Sequence, residues 1–159
     1  MAIYRLAARQ IVPVSIDEAW AFFSNPRNLP VITPPWLALE VTSDPPEKTY
    51  PGLVITYTVS PFLGVPLHWA TEITHVEDRV RFVDDQRIGP YSLWHHEHDF
   101  REVEGGTEVR DTVHYAVPFG PLGDVVAQLA VRPRVRAIFE YRREVLRERF
   151  GPRPGRASP

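Results

Sequence analysis

The sequence predicts an α+β fold in which a curved antiparallel sheet packs against one long C-terminal helix. Six segments in the middle of the chain alternate apolar and polar residues with the period of a β-strand. Residues 124–150 change to a helical period of three or four. Between the first strand and the alternating segments, a stretch rich in proline favours short helices and turns.

The elements follow one another in a simple order. A first strand is predicted over residues 3–13. Ser15 and Glu18 have the spacing of a capping box, which begins a short helix. Residues 25–36 predict a second short helix or turn. The six alternating segments then follow at 37–43, 52–60, 66–76, 79–88, 91–103 and 107–117.

The C-terminal helix contains one proline. Pro133 is expected to kink the helix or divide it in two, because proline removes a backbone donor and clashes with the preceding turn. The apolar positions are Val125, Leu129, Val135, Ile138, Phe139, Val145, Leu146 and Phe150. A basic, solvated outer face is predicted from Arg132, Arg134, Arg136, Arg142, Arg143, Arg147 and Arg149.

Composition limits the class of protein. Hydrophobic residues make up 43% and charged residues 24%, as in ordinary globular proteins. The net charge of −2 gives no electrostatic footprint for nucleic acid, and no apolar run reaches membrane-spanning length. Cysteine is absent, which excludes disulfides and thiolate chemistry. We expect a cytoplasmic protein with one domain over 1–150, a disordered tail over 151–159, no nucleic-acid partner and no stable membrane insertion.

The stretch WHHEHDF, residues 94–100, is the densest group of titratable side chains. A two-residue turn at Gly105 and Gly106 would pair Glu104 with Thr107. That register places Phe100 opposite Asp111, His98 opposite Val113 and His96 opposite Tyr115.

The same pairing sorts the side chains onto two faces. His96 and His98 point inward and His95 points to water, since a slip by one residue would mix the apolar and charged sets. The inward face of this hairpin carries Trp94, His96, His98, Phe100, Val109, Asp111, Val113 and Tyr115.

Neighbouring strands add further polar groups to the concave face. Their apolar alternation carries Tyr57, Thr71, Asp84 and Gln86 inward, together with Trp69 and Phe82. Each buried polar group without a partner costs about 1–3 kcal/mol. We therefore expect these groups to pair with one another, with ordered water or with a ligand.

These motifs resemble the START-like superfamily, also called SRPBCC, in its polyketide cyclase/dehydrase-like bacterial branch. The resemblance covers roughly residues 3–150 and implies a helix-grip fold. In that fold a seven-stranded antiparallel sheet wraps around a long C-terminal helix, with an apolar-lined cavity between them. The motifs that carry it are TPPW at 33–36, FVDDQRIGPYSLWHHEHDF at 82–100, GGTEVRDTVHYAVPFGPLG at 105–123 and IFEYRREVL at 138–146.

The resemblance also implies a class of ligand. Members bind lipids, sterols, polyketides and other hydrophobic small molecules, and some are cyclases or dehydratases. No catalytic residue is shared across the superfamily, and the resemblance implies no metal, so we expect neither a metal nor another cofactor. Some members are joined to a nucleotide-sugar epimerase-like domain, which makes a protein of that kind a candidate partner.

Four interpretations of the inward polar groups remain open. His96, His98 and Asp111 have ligand types that suit zinc or ferrous iron. His98 oriented by Asp111 would suit a general base, with Tyr115 as a donor to an enolate oxygen, in a cyclase or dehydratase. An interaction module using the basic helix face is supported by charge alone.

The fourth interpretation, a ligand-binding cavity with a polar strip, is the one we favour. Its predicted residues are Tyr57, Trp69, Thr71, Phe82, Asp84, Gln86, Trp94, His96, His98, Phe100, Asp111, Val113, Tyr115 and Phe139.

Overall fold

The computed structural model describes residues 2–61 and 63–151. Within them, seven strands form one antiparallel sheet in the order β1-β7-β6-β5-β4-β3-β2, which confirms the predicted sheet. Apart from Gly151, the predicted tail lies outside the described residues. The strands are β1 Tyr4–Val12, β2 Glu40–Val41, β3 Val54–Val59, β4 Leu67–Glu77, β5 Arg81–Ile88, β6 Leu93–Val103 and β7 Gly106–Ala116.

The connection from β1 to β2 is helical. Helix α1 spans Ile16–Phe23, and the Ser15 side chain accepts a hydrogen bond of 3.2 Å from the backbone N–H of Glu18, as its spacing predicts. Two short 3₁₀ helices follow at Pro26–Ile32 and Pro35–Leu37. The second predicted strand is therefore shorter than its alternation indicates.

The C-terminal helix runs without a break from residue 120 to residue 150. It consists of α2 (Gly120–Val126), a π-helical turn (Ala127–Val131) and α3 (Arg132–Phe150). Pro133 lies in the first turn of α3, directly after the wider π turn, so it does not divide the helix. No helix in the described part of the chain is both long and apolar enough to span a membrane.

The buried face of this helix differs from the predicted one before Pro133. Val125 and Leu129 are 55% and 76% exposed, so the prediction that they face the core was wrong. The smaller Ala127 and Val131 are buried instead, and they are in phase with the buried Val135. Val125 and Leu129 therefore point away from the core.

The β6–β7 hairpin has the predicted faces but a different register. Val103 pairs with Gly106, so the turn lies at Glu104 and Gly105 and the predicted Glu104–Thr107 pairing was wrong by two residues. A shift by two keeps every side chain on its face. The observed pairs are Phe100 with Val109, His98 with Asp111, His96 with Val113 and Trp94 with Tyr115.

Candidate functional site

A cavity of about 580 Å³ lies between the concave face of the sheet and the C-terminal helix. Its volume is in the range of small-molecule sites. Nine of the residues predicted to bind a ligand line it: Tyr57, Trp69, Thr71, Phe82, Asp84, Trp94, His96, His98 and Phe139.

The other predicted residues lie behind this lining or beside it. The Gln86 side chain donates to the backbone carbonyl of Tyr91 at 2.7 Å, so it holds the β5–β6 loop. Phe100 packs edge-on against Trp20 in the core. The remaining three are buried in the sheet beneath the cavity wall: Asp111, Val113 and Tyr115.

Sequence reasoning missed one residue of the buried polar network, Arg142. It was assigned to the basic outer face, yet it is 7% exposed, and its guanidinium donates to Asp111 Oδ1 at 3.2 Å. The signal was present, because Arg142 lies three residues after Phe139 and four before Leu146. That spacing places it on the apolar stripe of the helix.

Two histidines and two carboxylates form the centre of the polar network. The His98 Nε2–H donates to Asp84 Oδ2 at 2.7 Å, and the His96 Nε2–H donates to Asp111 Oδ1 at 2.9 Å. The two imidazole rings lie 3.7 Å apart. His98 Nδ1 is 3.1 Å from Asp111 Oδ1 but lacks the angle of a hydrogen bond. The structure therefore joins His98 to Asp84 more directly than to Asp111.

The charges of this network balance. Burial acts to raise the pKa of Asp111, but Arg142 and the two histidines hold it well below the usual range, and the histidines likewise lower the pKa of Asp84. Burial opposes charge on His98, yet the nearby carboxylates of Asp111 and Asp84, the second of which accepts its hydrogen bond, raise its pKa. Burial and the charge on His98 lower the pKa of His96. With His98 protonated and His96 neutral, two carboxylates, one guanidinium and one imidazolium sum to zero.

This arrangement predicts how stability changes with pH. Because the pKa of His98 is raised on folding, its contribution is complete below about pH 6.5 and is lost as the pH rises through the folded pKa. The pKa of His96 is lowered on folding, so its effect on stability has the opposite sign. The free energy of unfolding falls as the pH drops below about 6.5, where the unfolded state takes up a proton more readily. We expect the free energy of unfolding to decline above about pH 6.5.

Urea denaturation at several pH values measures this decline. His98→Gln is expected to make it shallower, whereas substitution of the exposed His75 by glutamine keeps the wild-type slope. Part of the slope should persist, because Asp85 and Glu97 raise the pKa of His95 against the effect of its burial. An unchanged slope in His98→Gln would contradict a charged His98.

Binding of a metal ion between Asp84, His96 and His98 is less favourable than protonation of His98. The donor atoms of Asp84, His96 and His98 lie within 4.8 Å of one another, and this set differs from the one predicted with Asp111. Both Nε2 atoms already donate to carboxylates. A divalent ion that replaced the His98 proton would leave the buried network with one excess positive charge.

The predicted catalytic pair, His98 and Asp111, stays a prediction. A general base needs a ring nitrogen that can accept a proton from a substrate. In His98 one nitrogen donates to Asp84 and the other lies against Asp111. This geometry suits a residue that fixes Asp84 in place better than one that takes up a proton.

Comparison with known families identifies the fold and its relatives. A family model described as polyketide cyclase / dehydrase and lipid transport matches residues 12–139. The chain belongs to this family. The seven-stranded sheet and the long C-terminal helix are thus the fold of a member of this family. No curated protein matches the chain significantly.

Solved structures share the fold of this family member at low sequence identity. CV1439 from Chromobacterium violaceum has a TM-score of 0.69 at 9% identity, covering 93% of this chain and 98% of its own. TTHA0849 from Thermus thermophilus has 0.65 at 18%, covering 92% and 97%. Ms6760 from Mycobacterium smegmatis has 0.64 at 17%, covering 92% and 96%. At such identities the likeness concerns the fold alone.

Proposed function

We propose that the protein binds an apolar small molecule in the cavity between the sheet and the C-terminal helix. The observation that carries this proposal is the distribution of side chains around the cavity. Aromatic and aliphatic residues form most of its wall, while Asp84, His96 and His98 come from the two adjacent strands β5 and β6. Two arginines of α3, Arg134 and Arg142, also line the cavity. An apolar body with one polar end matches that distribution.

The exposed part of the lining supports entry of such a ligand. Phe119 and Leu122 line the cavity and are 81% and 77% exposed, so the cavity reaches the surface beside the start of α2. Trp36 lies at the surface as well, and the Arg134 guanidinium lies 5.3 Å from the centre of its ring. A rim of aromatic and aliphatic side chains is a suitable approach for an apolar molecule.

A substitution that fills the cavity tests the proposal. Ile138 lines the cavity from α3, so Ile138→Trp should weaken binding of the uncharged fluorescent probe N-phenyl-1-naphthylamine about tenfold or more. Glu140→Trp adds the same ring to the exposed face of the same helix and should leave binding unchanged. Probe fluorescence titration measures both. Equal affinity in the two variants would show that the probe binds outside the cavity and would refute the proposal.

A further inference from the structure

One oxygen of Asp84 faces the cavity without a partner. The Asp84 side chain is 15% exposed, and its Oδ2 atom accepts the hydrogen bond from His98. Its Oδ1 atom has no hydrogen-bond partner among the described residues. The buried side-chain atoms without a partner in that part of the chain are Thr49 Oγ1, His98 Nδ1 and Arg142 Nε. Asp84 Oδ1 is not one of them, so it is open to the cavity that Asp84 lines.

A second polar group on the same wall has a hydroxyl hydrogen that makes no hydrogen bond within the group. Trp69 Nε1–H donates to Thr71 Oγ1 at 3.0 Å, and the hydroxyls of Tyr57 and Thr71 lie 2.7 Å apart. These three groups have three polar hydrogens and make two hydrogen bonds with one another. One hydroxyl hydrogen, on Tyr57 or on Thr71, therefore remains available to an acceptor in the cavity.

Asp84 and Thr71, the residue to which Tyr57 and Trp69 are hydrogen-bonded, lie on neighbouring strands. Asp84 pairs with Ile73 across β4 and β5, and Thr71 is the next residue of β4 on the same face. Residues on such a diagonal lie roughly 7–8 Å apart. One small polar group between their side chains can therefore contact both. The charge of Asp84 contributes, after burial, to the raised pKa of Tyr57, which is consistent with this proximity.

We propose that the ligand is an apolar molecule that carries a hydroxyl or phenol group, which donates its hydrogen to Asp84 Oδ1 and accepts one from the Tyr57–Thr71 pair. This inference rests on the proposed function and narrows its ligand class. A hydroxyl group suits both positions because it is a donor and an acceptor at once. An apolar ligand without a donor would cover the carboxylate oxygen and leave it unpaired, which is unfavourable.

Two probes that differ in a single donor test the inference in the unaltered protein. 2-Naphthol and 2-methoxynaphthalene have the same ring system, but only the naphthol can donate a hydrogen bond. Quenching of tryptophan fluorescence reports binding, because Trp69 and Trp94 line the cavity. We expect the naphthol to bind about tenfold more tightly or better, since hydrogen bonds to charged groups are the stronger ones. Partition alone would favour the more apolar methoxy compound.

Variants of the consecutive residues Asp84 and Asp85 test which carboxylate causes the preference for the naphthol. Asp84→Asn should remove most of the preference by weakening naphthol binding, because the amide oxygen carries no charge. Asp85→Asn should keep it, because Asp85 accepts hydrogen bonds from His95 and Thr74 on the outer face. The comparison in wild type needs no variant, so it remains decisive even if Asp84→Asn fails to fold.

Each result separates this inference from the proposed function. Naphthol binding no tighter than the methoxy compound, with Ile138→Trp still blocking N-phenyl-1-naphthylamine, overturns the hydroxyl preference and leaves the cavity function standing. A preference that persists undiminished in Asp84→Asn also overturns it. A preference that appears only with added zinc and disappears with chelator would assign Asp84, His96 and His98 to a metal instead. Failure of all three probes would remove both proposals.

Discussion

Replacing Asp111 by alanine is expected to lower the free energy of unfolding by about 3–5 kcal/mol, the usual result of breaking a buried ion pair. The Asp111 side chain is 8% exposed and contacts His96, His98 and Arg142. Without it, the guanidinium and the His98 imidazolium share one carboxylate, Asp84. A buried positive charge without a partner remains. Urea denaturation at pH 6 measures the loss.

Two controls separate the network from a general effect of removing an acid. Asp99 forms a surface ion pair with Arg81 at 2.5 Å, and Asp99→Ala should cost less than about 1 kcal/mol. The double variant Asp111→Leu, Arg142→Met replaces both charges by apolar side chains and should recover much of the stability. Losses of the same size for Asp111→Ala and Asp99→Ala would argue against a closed network of charges.

The sequence predicted which face each strand buries, because the alternation of side chains is a local property. His96 and His98 are buried, while His95 is partly exposed and contacts Asp85 and Glu97, as their positions in the alternation indicate. The pairing of residues across strands was harder to predict from the sequence. It depends on the turn and on the register shifts of β4, where the pairing is irregular between Ala70 and Thr71. The alternation of apolar and polar residues gives no information about such register shifts.

The same limit applies to the hydrogen-bond partners in the centre of the site. The sequence suggested that His98 is oriented by Asp111, whereas the structure gives the hydrogen bond of His98 to Asp84 and that of His96 to Asp111. Both acids were placed on the correct face. Their partners were decided by the registers of β5–β6 and β6–β7, in which Asp84 pairs with His96 and Asp111 with His98. Each histidine contacts an acid diagonal to or opposite it, so face alone could not choose between them.

Substituting Gly106 by alanine is expected to cost about 3 kcal/mol or more, because strain and overlap act together. Gly106 has a φ of +136°, which side chains other than glycine's rarely allow. A Cβ atom there would lie 2.1 Å from the carbonyl oxygen of Val12 and 2.8 Å from Cα of Pro13. Both are backbone atoms, so no side-chain rotation relieves the overlap. This close approach explains why the first position of β7 is occupied by glycine.

Gly52→Ala is the matched control for the Gly106 substitution. Its φ is +90°, but nothing lies within 4 Å of an added Cβ, so only the backbone strain of about 1–2 kcal/mol applies. The excess cost at position 106 then measures how tightly the end of β1 packs on the start of β7, where Thr107 Oγ1 also donates to the carbonyl of Val14 at 2.9 Å. Thermal or urea denaturation gives both values. Because β7 carries Asp111, a shift of this strand end should also perturb the His96 and His98 ring resonances in NMR spectra, whereas Gly52→Ala should not. Equal losses in the two variants would contradict the close approach of Gly106 to Val12.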